Sequence, residues 1–415
     1  MSQQNLDQFY QLVLKDIALQ RLLEAAPNLD TFLTLMPQLG AERGYAFTIE
    51  EVKAALRVNR RAWLERSIPQ VETLHPCPNY RSVEDFNSLK GWAPIRLYWR
   101  QGHPFVEWCC LGRQRFTDPF FDQTIGHCLS HPFNLLFRHH TPIEILAEWQ
   151  AVQPGLPPTG FIFHMSRCGS TLVAQMLAAL PQNIVISEAG VIDSLLRANF
   201  YQPHLSDEQR IIWFQGLINA LGQRRFEHEK HFFIKFDSWS ILDLPLIQRA
   251  FPGVPWVFVY RDPVEVMVSH QKQPGSQVVP GLIEPHLFGF EPAVLNQISL
   301  DEYCAQVLAS LCRAAAQHYQ PGAALLINYQ QLPEAVYSAL LNFWGVDYSA
   351  VDIERMRQVT QFHAKYPQLN YENDTRQKQQ AANDRLRELA GCWLEPVYQQ
   401  LEMLRQAQKT IEVIS

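Results

Sequence analysis

Five short apolar runs, separated by segments with helical spacing, constrain the fold of this chain more than any other feature. The runs are residues 160–164, 183–187, 231–235, 256–260 and 323–328. Their lengths fit strands, and their nearly continuous apolar character is typical of strands buried on both faces. Strands that alternate with helices build a central parallel sheet with helices on both faces. We therefore predict an α/β domain over residues 153–415, which begins with a stiff Pro-rich linker at 153–159.

The composition is that of a globular protein with more than one domain. The 415 residues are 47% apolar and 18% charged, with a formal charge of −6, and the eight cysteines are dispersed. That pattern predicts reduced thiols. No apolar run reaches the roughly 18 residues of a membrane helix, and the N-terminus lacks the features of a secretory signal. We expect a cytoplasmic protein with no membrane partner and no nucleic-acid partner, since nucleic-acid binding usually requires a basic domain.

Residues 1–58 have the apolar spacing of three short helices. Leu6, Phe9, Val13 and Ile17 recur at steps of three and four, which places one apolar stripe on a first helix. A second helix is predicted over residues 29–39. The segment Thr48-Ile-Glu-Glu51 has the pattern of a capping box and begins the third. We predict a small three-helix N-terminal domain.

This N-terminal segment resembles the Nif-eleven-type leader-peptide domain. The similarity lies in Leu6, Phe9, Asp16, Leu19, Gln20, Leu23, Phe32 and residues 44–52. In that family the domain commonly precedes a peptide substrate of modifying enzymes, but the usual double-glycine cleavage site is missing here. The resemblance implies a fused docking or regulatory domain. The alternative is a small helical cap on the enzyme behind it.

Residues 59–152 form a mixed, aromatic-rich region whose role the sequence does not reveal. Short alternating runs set among Trp and Pro residues predict short strands and loops. His127 and His131 are spaced so that both could face a metal on one side of a helix. Since no further ligand clusters with them, we predict core or surface histidines and no metal site.

The most informative motif covers residues 161–173, which read as an apolar strand, a tight polar turn and the start of a helix. A helix N-terminus leaves its first N–H groups free for an anion, and Gly169 lets the backbone approach a phosphate closely. Arg167 adds a permanent positive charge, while Ser170 and Thr171 add hydroxyl donors. This turn therefore predicts an anion site.

The same turn departs from the Walker A loop, because His164 and Ser170 stand where that loop has its first Gly and its Lys. This disfavours a Mg²⁺-dependent kinase or GTPase. The turn instead resembles the 5′-phosphosulfate loop of sulfotransferases, Arg-Ser-Gly-Ser/Thr-Thr-Leu, which here reads Arg167-Cys-Gly-Ser-Thr-Leu172. The resemblance implies a P-loop-like sulfotransferase fold. It also implies that the 5′-phosphosulfate is bound by Arg167, Gly169, Ser170 and Thr171.

A second motif, residues 257–270, is a strand that ends in Arg261 with Ser269 eight residues later. Asp262 can cap the following helix and Pro263 suits its first turn, which places Ser269 about two turns along it. Sulfotransferases have this Arg-Asp-Pro…Ser spacing at the site of the donor's 3′-phosphate. The resemblance implies that Arg261 and Ser269 bind that phosphate. The alternative is an ordinary strand–helix junction.

Two further strands end in charged residues. Residues 184–188 end in Glu188, and residues 232–235 end in Lys235. In related sulfotransferases a Glu in this setting is the general base for the acceptor hydroxyl, and the Lys contacts the bridging and leaving oxygens. Partial burial at a sheet edge is expected to raise the pKa of Glu188 toward neutrality. The alternatives are a capping or salt-bridged Glu and a plain surface Lys.

The resemblance weakens toward the C-terminus. Residues 324–329 are similar to the family's late strand, but its late basic loop is not present as such. The nearest substitute is residues 373–378, where Arg376 or Lys378 is a candidate for the 3′-phosphate. Residues 273–282 and the aromatic stretch that continues to Phe290 predict a mobile lid after the second motif.

Together these features predict a sulfotransferase that uses 3′-phosphoadenosine 5′-phosphosulfate (PAPS) as co-substrate and requires no metal. The acceptor is predicted to be a hydroxyl, or less readily an amine, of a peptide, sugar or secondary metabolite. The leader-like domain favours natural-product biosynthesis by analogy. Two alternatives stay open: a non-catalytic nucleotide-fold protein that binds a peptide partner through its leader-like domain, and an ATP-dependent phosphoryl transferase. The oligomeric state cannot be predicted from the sequence.

Overall fold

The structure, a computed structural model, describes residues 2–66, 86–295 and 297–412. It divides into two compact units built from interleaved segments of the chain. The first unit comprises Met1–Arg115, Phe121–Gly155 and Arg197–Glu227, and the second comprises Phe116–Phe120, Leu156–Leu196 and His228–Ser415. The domain boundaries after residues 58 and 152 stay a prediction. Among the described residues, none of the helices combines the length and the apolar character that a membrane span requires.

Helices and strands alternate along most of the chain. The helices are α1 (Ser2–Lys15), α2 (Ile17–Glu24), α3 (Leu29–Ala41), α4 (Ile49–Arg66), α5 (Phe121–Ser130), α6 (Pro132–Leu136), α7 (Ile145–Val152), α8 (Ser170–Ala178), α9 (Gly190–Leu196), α10 (Ala198–Tyr201), α11 (Asp207–Leu221), α12 (Leu244–Ala250), α13 (Pro263–Lys272), α14 (Pro292–Leu295), α15 (Leu300–His318), α16 (Leu341–Phe343), α17 (Ala350–Val359), α18 (Thr375–Ala381), α19 (Asp384–Leu389) and α20 (Glu395–Glu412). The strands are β1 (Trp92–Arg100), β2 (His103–Cys110), β3 (His139–Pro142), β4 (Gly160–His164), β5 (Asn183–Ser187), β6 (His231–Lys235), β7 (Trp256–Tyr260), β8 (Ala324–Asn328), β9 (Phe362–His363) and β10 (Tyr366–Asn370).

The N-terminal segment holds one more helix than its spacing predicts. Asp16 interrupts the first apolar stripe, because its side chain accepts hydrogen bonds from the N–H groups of Ala18 at 2.8 Å and Leu19 at 3.1 Å and so begins α2. The predicted capping box is confirmed. The Thr48 N–H donates to Glu51 Oε2 at 2.8 Å, and the Glu51 N–H donates to Thr48 Oγ1 at 3.3 Å.

These N-terminal helices share buried and half-buried polar contacts with later residues of the first unit. Gln20 is only 4% exposed, and its Oε1 accepts a hydrogen bond from Trp92 Nε1 at 3.0 Å. The Tyr10 hydroxyl donates to the carbonyl oxygen of Arg138 at 3.0 Å. Separating α1 and α2 from the rest of the first unit would leave these polar groups without partners, which is costly in a buried position. The contacts therefore stabilise the packing of both helices.

The rest of the first unit contains the predicted strands together with helices that the sequence did not indicate. β1, β2 and β3 pair antiparallel in that order. Along the chain, α5 and α6 lie between β2 and β3, and α7 follows β3. His131 acts as the N-cap of α6, because its Nδ1 accepts a hydrogen bond from the Phe133 N–H at 3.2 Å. Within the described part of the chain, no group of three or more metal-ligating side chains is found.

The second unit is built on the predicted parallel sheet, with strand order β5-β6-β4-β7-β8. Every residue of these five strands except His231 is buried, which is why each strand reads as a nearly continuous apolar run. The chain leaves β4 toward β5 and β6 on one side and later returns toward β7 and β8 on the other. In open parallel sheets such a switch in direction opens a crevice at the carboxyl ends of the strands, and ligands bind there.

Strand register decides which side chains reach this crevice. His164 ends β4 and Lys235 ends β6, while Arg261 follows the last residue of β7. Ser187 pairs with Lys235 across β5 and β6, so Glu188 comes one residue beyond that pair. The charged residues predicted from separate motifs are thus brought to one edge of the sheet.

Candidate active site

The loop between β4 and α8 has an unusual backbone. Ser166, Arg167 and Gly169 all have positive φ, at 79°, 53° and 89°. A Cβ on Gly169 would lie 2.8 Å from carbon atoms of Leu332 and Tyr329, so neither the conformation nor the space admits a side chain. Left-handed residues in sequence are typical of concave loops whose N–H groups gather around an anion.

The first turn of α8 places two hydroxyls beside this loop. Ser170 and Thr171 are 4% and 6% exposed. Arg167 is half-buried, and its guanidinium donates a hydrogen bond to the carbonyl oxygen of Gln273. Cys168 packs inward with its Sγ 3.0 Å from the Val259 carbonyl oxygen, and burial raises the pKa of this thiol to about 11. The loop thus presents donors and a cation to the crevice while Cys168 stays a protonated packing residue.

Glu188 lies at the centre of a hydrogen-bonded group. Its φ of 52° is in the left-handed region, and its N–H donates to the carbonyl oxygen of Lys235 at 2.7 Å. The Lys235 ammonium, fully buried, donates to Glu188 Oε1. His164 Nε2 lies 3.3 Å from the same oxygen, and His164 Nδ1 accepts a hydrogen bond from the Ser166 N–H. His164 therefore connects the loop to the carboxylate, a role that the sequence did not reveal.

The expectation of a raised pKa for Glu188 is wrong. Burial raises this pKa, but the Lys235 ammonium and His164 outweigh it and hold the pKa of Glu188 well below its usual range. Burial, reinforced by Lys235, lowers the pKa of His164. The sequence could not reveal the pairing of Glu188 with Lys235, because the two residues lie on different strands and meet only through sheet register.

Lys365 lies close to this group without a hydrogen bond to it, and no motif pointed to it. It lies in the turn between β9 and β10, and its Nζ is 5.4 Å from the centre of the Phe120 ring. Lys235 Nζ is 5.6 Å from the centre of the same ring. We call Arg167, Glu188, Lys235 and Lys365 the Glu188 cluster.

Arg261 lies in a second charged group and has its own acidic partners. Its Nε donates to Glu265 Oε2 at 2.6 Å, and its Nη2 donates to Asp374 Oδ1 at 2.7 Å. Lys378 Nζ lies 2.7 Å from the other oxygen of Asp374. The Arg261 guanidinium stacks 3.8 Å from the centre of the Tyr329 ring. We call Arg261, Glu265, Asp374 and Lys378 the Arg261 cluster.

Ser269 is positioned as the capping signals predict. Asp262 Oδ1 accepts a hydrogen bond from the Glu265 N–H at 3.1 Å, and Pro263 is the first residue of α13. The Ser269 hydroxyl is 9% exposed and donates to the Glu265 carbonyl oxygen at 2.9 Å. Two turns of helix thus place this hydroxyl on the same side of α13 as the Arg261 cluster.

One cavity of about 560 Å³ joins these parts of the second unit. Seven of the eight residues predicted for the site line it: Arg167, Gly169, Ser170, Thr171, Glu188, Arg261 and Ser269. Lys235, the eighth, contacts the cavity residue Glu188. Lys378 also lines the cavity, whereas Arg376 does not. The segment predicted as a lid contributes Gln273, Gly275, Ser276 and Gln277 to the wall.

Comparison with known proteins gives two family matches. Residues 1–52 match the Nif11 domain, and residues 158–350 match the sulfotransferase family. No curated protein matches the chain.

Similar solved structures are themselves sulfotransferases. The sulfotransferase domain from the curacin biosynthetic pathway has 14% identity and a TM-score of 0.34, over 57% of this chain and 97% of that one. A sulfotransferase from Alicyclobacillus acidocaldarius has 14% identity and a TM-score of 0.35, over 60% and 96%. The sulfotransferase domain of the Synechococcus PCC 7002 olefin synthase has 15% identity and a TM-score of 0.33, over 61% and 96%. The family models carry the similarity: residues 158–350 match the sulfotransferase family, and residues 1–52 match the Nif11 domain.

Proposed function

We propose that this protein transfers the sulfuryl group of PAPS to a hydroxyl, or less readily an amine, of a small-molecule or peptide acceptor. The observation that carries the proposal is that the loop between β4 and α8, Glu188, Arg261 and Ser269 all line one cavity. Each of these parts recurs in ordinary folds, whereas their convergence on one cavity is what transfer from a doubly phosphorylated donor requires.

The donor would extend between the two charged clusters. Its 5′-phosphosulfate would lie on the loop, with the N-terminus of α8 and Arg167 as its partners. Its 3′-phosphate would take the position of the Asp374 carboxylate, which Arg261 and Lys378 already hold as they would hold a bound anion. Asp374 is 40% exposed on its side chain, so it can turn outward when the phosphate enters.

The residues of the Glu188 cluster would divide the chemistry of the transfer. As the acceptor oxygen bonds to sulfur, Glu188 takes its proton. The bond between sulfur and the bridging oxygen breaks, and its electron pair stays on the 5′-phosphate of the departing adenosine 3′,5′-bisphosphate. Lys235 stabilises the charge that develops there. To stabilise the leaving phosphate, Lys235 gives up its hydrogen bond to Glu188. The loss of this cation raises the pKa of Glu188 at the step in which Glu188 accepts the proton.

Calorimetric binding of adenosine 3′,5′-bisphosphate, AMP and ATP without added metal tests the donor class. We expect micromolar affinity for the bisphosphate, a clear preference over AMP and ATP, and loss of that preference in Arg261→Ala. Arg385→Ala is the control, because Arg385 is exposed and outside the cavity. Equal affinity for AMP and the bisphosphate would remove PAPS as the donor. A requirement for Mg²⁺ together with tighter ATP binding would instead support phosphoryl transfer.

The acceptor class is a separate proposal. The match of residues 1–52 to the Nif11 domain favours a peptide or natural-product acceptor, because the resemblance described above implies a domain that commonly precedes a peptide substrate. The buried contact between Gln20 and Trp92 favours a structural cap, and it also means that deleting residues 1–58 would open the first unit. Leu22→Lys is the sharper variant, since Leu22 is 52% exposed on α2. Loss of peptide sulfation with unchanged donor binding would support docking, and no change in either would support the cap.

A further inference from the structure

The β9–β10 hairpin is braced so that the turn residue Lys365 is held in one position. The imidazole of His363 accepts hydrogen bonds from the N–H groups of Lys365 at 3.3 Å and Tyr366 at 3.2 Å. At the open end of the hairpin, the Tyr371 N–H donates to the carbonyl oxygen of Gln361 at 2.8 Å. The Tyr371 hydroxyl lies 2.8 Å from that of Tyr329, the residue beneath Arg261. These contacts hold the turn that carries Lys365 beside the cavity.

Lys365 shares its counter-charge, because the carboxylate that acts on it, Glu188, already binds Lys235. Among residues 2–66, 86–295 and 297–412, no ion pair or side-chain hydrogen bond joins Lys365 to an acidic group. It is half-buried, lines the cavity and lies against the same Phe120 ring as Lys235. Burial, then Arg167 and Lys235, lower the pKa of Lys365 to about 8. Gathering cations with so little compensation is costly unless an anion comes between them.

The position of Lys365 singles out one part of the donor. The 3′-phosphate would belong to the Arg261 cluster, and the 5′-phosphate to the loop and Lys235. The sulfuryl group must lie between the 5′-phosphate and the acceptor hydroxyl, which Glu188 deprotonates. Arg167, Glu188 and Lys235 are the charged residues that act most strongly on Lys365, and Arg167 and Glu188 line the same cavity as Lys365.

We propose that Lys365 is a catalytic residue that binds the non-bridging oxygens of the sulfuryl group of PAPS. The inference rests on the proposed function. Lys365 would follow the group through the transfer, in which the acceptor oxygen–sulfur bond forms and the bond from sulfur to the bridging oxygen breaks. The acceptor proton goes to Glu188, and adenosine 3′,5′-bisphosphate leaves with the electron pair of the broken bond. Lys365 then contacts the sulfated product and not the bisphosphate.

This difference between donor and product provides the test, which needs no knowledge of the acceptor. Binding of PAPS and of adenosine 3′,5′-bisphosphate would be measured by calorimetry at pH 7 on the full chain, for wild type, Lys365→Met and Lys365→Arg. We expect Lys365→Met to weaken PAPS binding about tenfold and bisphosphate binding by less than about twofold. Lys365→Arg should keep most of the PAPS affinity, because it keeps the charge. Lys230→Met is the matched control, since Lys230 is an exposed lysine beside β6 and outside the cavity.

The outcomes separate this inference from the proposed function. Equal weakening of both ligands in Lys365→Met would place Lys365 on the bisphosphate and overturn the sulfuryl contact, as would no weakening of either. Retained bisphosphate binding reports that the variant is folded. A wild-type protein that binds neither ligand would overturn the proposed function together with this inference. A wild type that binds both, with an unaffected Lys365→Met, would overturn the inference alone.

Discussion

The two charged clusters of the cavity differ in how their cations are compensated. In the Glu188 cluster, three cations share one carboxylate: Arg167, Lys235 and Lys365 with Glu188. In the Arg261 cluster, two cations face two carboxylates at 2.5–2.7 Å: Arg261 and Lys378 with Glu265 and Asp374. The Glu188 cluster therefore carries excess positive charge, and the Arg261 cluster is balanced.

The difference indicates how each end would receive an anion. A balanced cluster is held rigid by its own ion pairs, so a phosphate would enter by exchange with Asp374, and the exchange would add mainly selectivity. A cluster with excess charge gains affinity directly, because the anion neutralises it. On this view, the Arg261 end recognises the donor and the Glu188 end binds and transfers the reacting group.

Removing the single carboxylate of the Glu188 cluster is expected to have the largest effect. Glu188→Gln keeps the shape and removes the proposed base, so turnover should fall about 10³-fold. Binding of adenosine 3′,5′-bisphosphate should stay within about twofold, because Lys235 and Arg167 remain. Steady-state rates with PAPS and calorimetry measure the two quantities. Full activity in the variant would remove Glu188 from the base role.

Adding a side chain to the loop between β4 and α8 should have the next largest effect. Gly169→Ala combines a φ of 89° with contacts of 2.8 Å to Leu332 and Tyr329, so the loop must shift. We expect donor and bisphosphate affinity to fall about 10- to 100-fold, the equivalent of about 1–3 kcal/mol of backbone strain. Gly253→Ala is the control, since Gly253 also has positive φ but no atoms near its Cβ position. Equal losses in both variants would point to folding, not to the loop.

The excess charge of the Glu188 cluster predicts a pH dependence. Lys365, with a pKa of about 8, is charged below that pH and loses its proton above it, so PAPS affinity should fall as the pH rises from 7 to 9. His164, His270 and His363 have lowered pKa values and stay neutral over this range. We expect a decrease of about fivefold to tenfold. Lys365→Arg should abolish the decrease, and an unchanged pH profile in that variant would assign it to another group.

Changing the balance of the Arg261 cluster should have the smallest effect. Asp374→Asn removes the carboxylate that we propose competes with the 3′-phosphate, so affinity for adenosine 3′,5′-bisphosphate should rise about threefold. Affinity for AMP should not change, because AMP has no 3′-phosphate. Added salt should reduce the gain. Weaker bisphosphate binding would mean that Asp374 organises the site and does not compete for it.

Local signals in the sequence were sufficient for much of the fold. The five strands of the parallel sheet are buried on both faces, so their apolar runs identified them. The capping box at Thr48 and the cap at Asp262 were also confirmed. Both are local signals, because each depends on residues three positions apart. Helices α5, α6 and α7 were not predicted, because they are short and lie in an aromatic-rich region without a clear helical period.

The sequence by itself determined which side chains end the strands and open the helices, since strand burial and helix capping are local. Only the tertiary structure decided their charge partners. Glu188 meets Lys235 across 47 positions and Arg261 meets Asp374 across 113, and Lys365 reaches the site from a hairpin that matched no motif. The pKa of a carboxyl depends on the cations that folding places around it. For that reason the pKa of Glu188 is lowered, whereas burial alone predicts that it is raised.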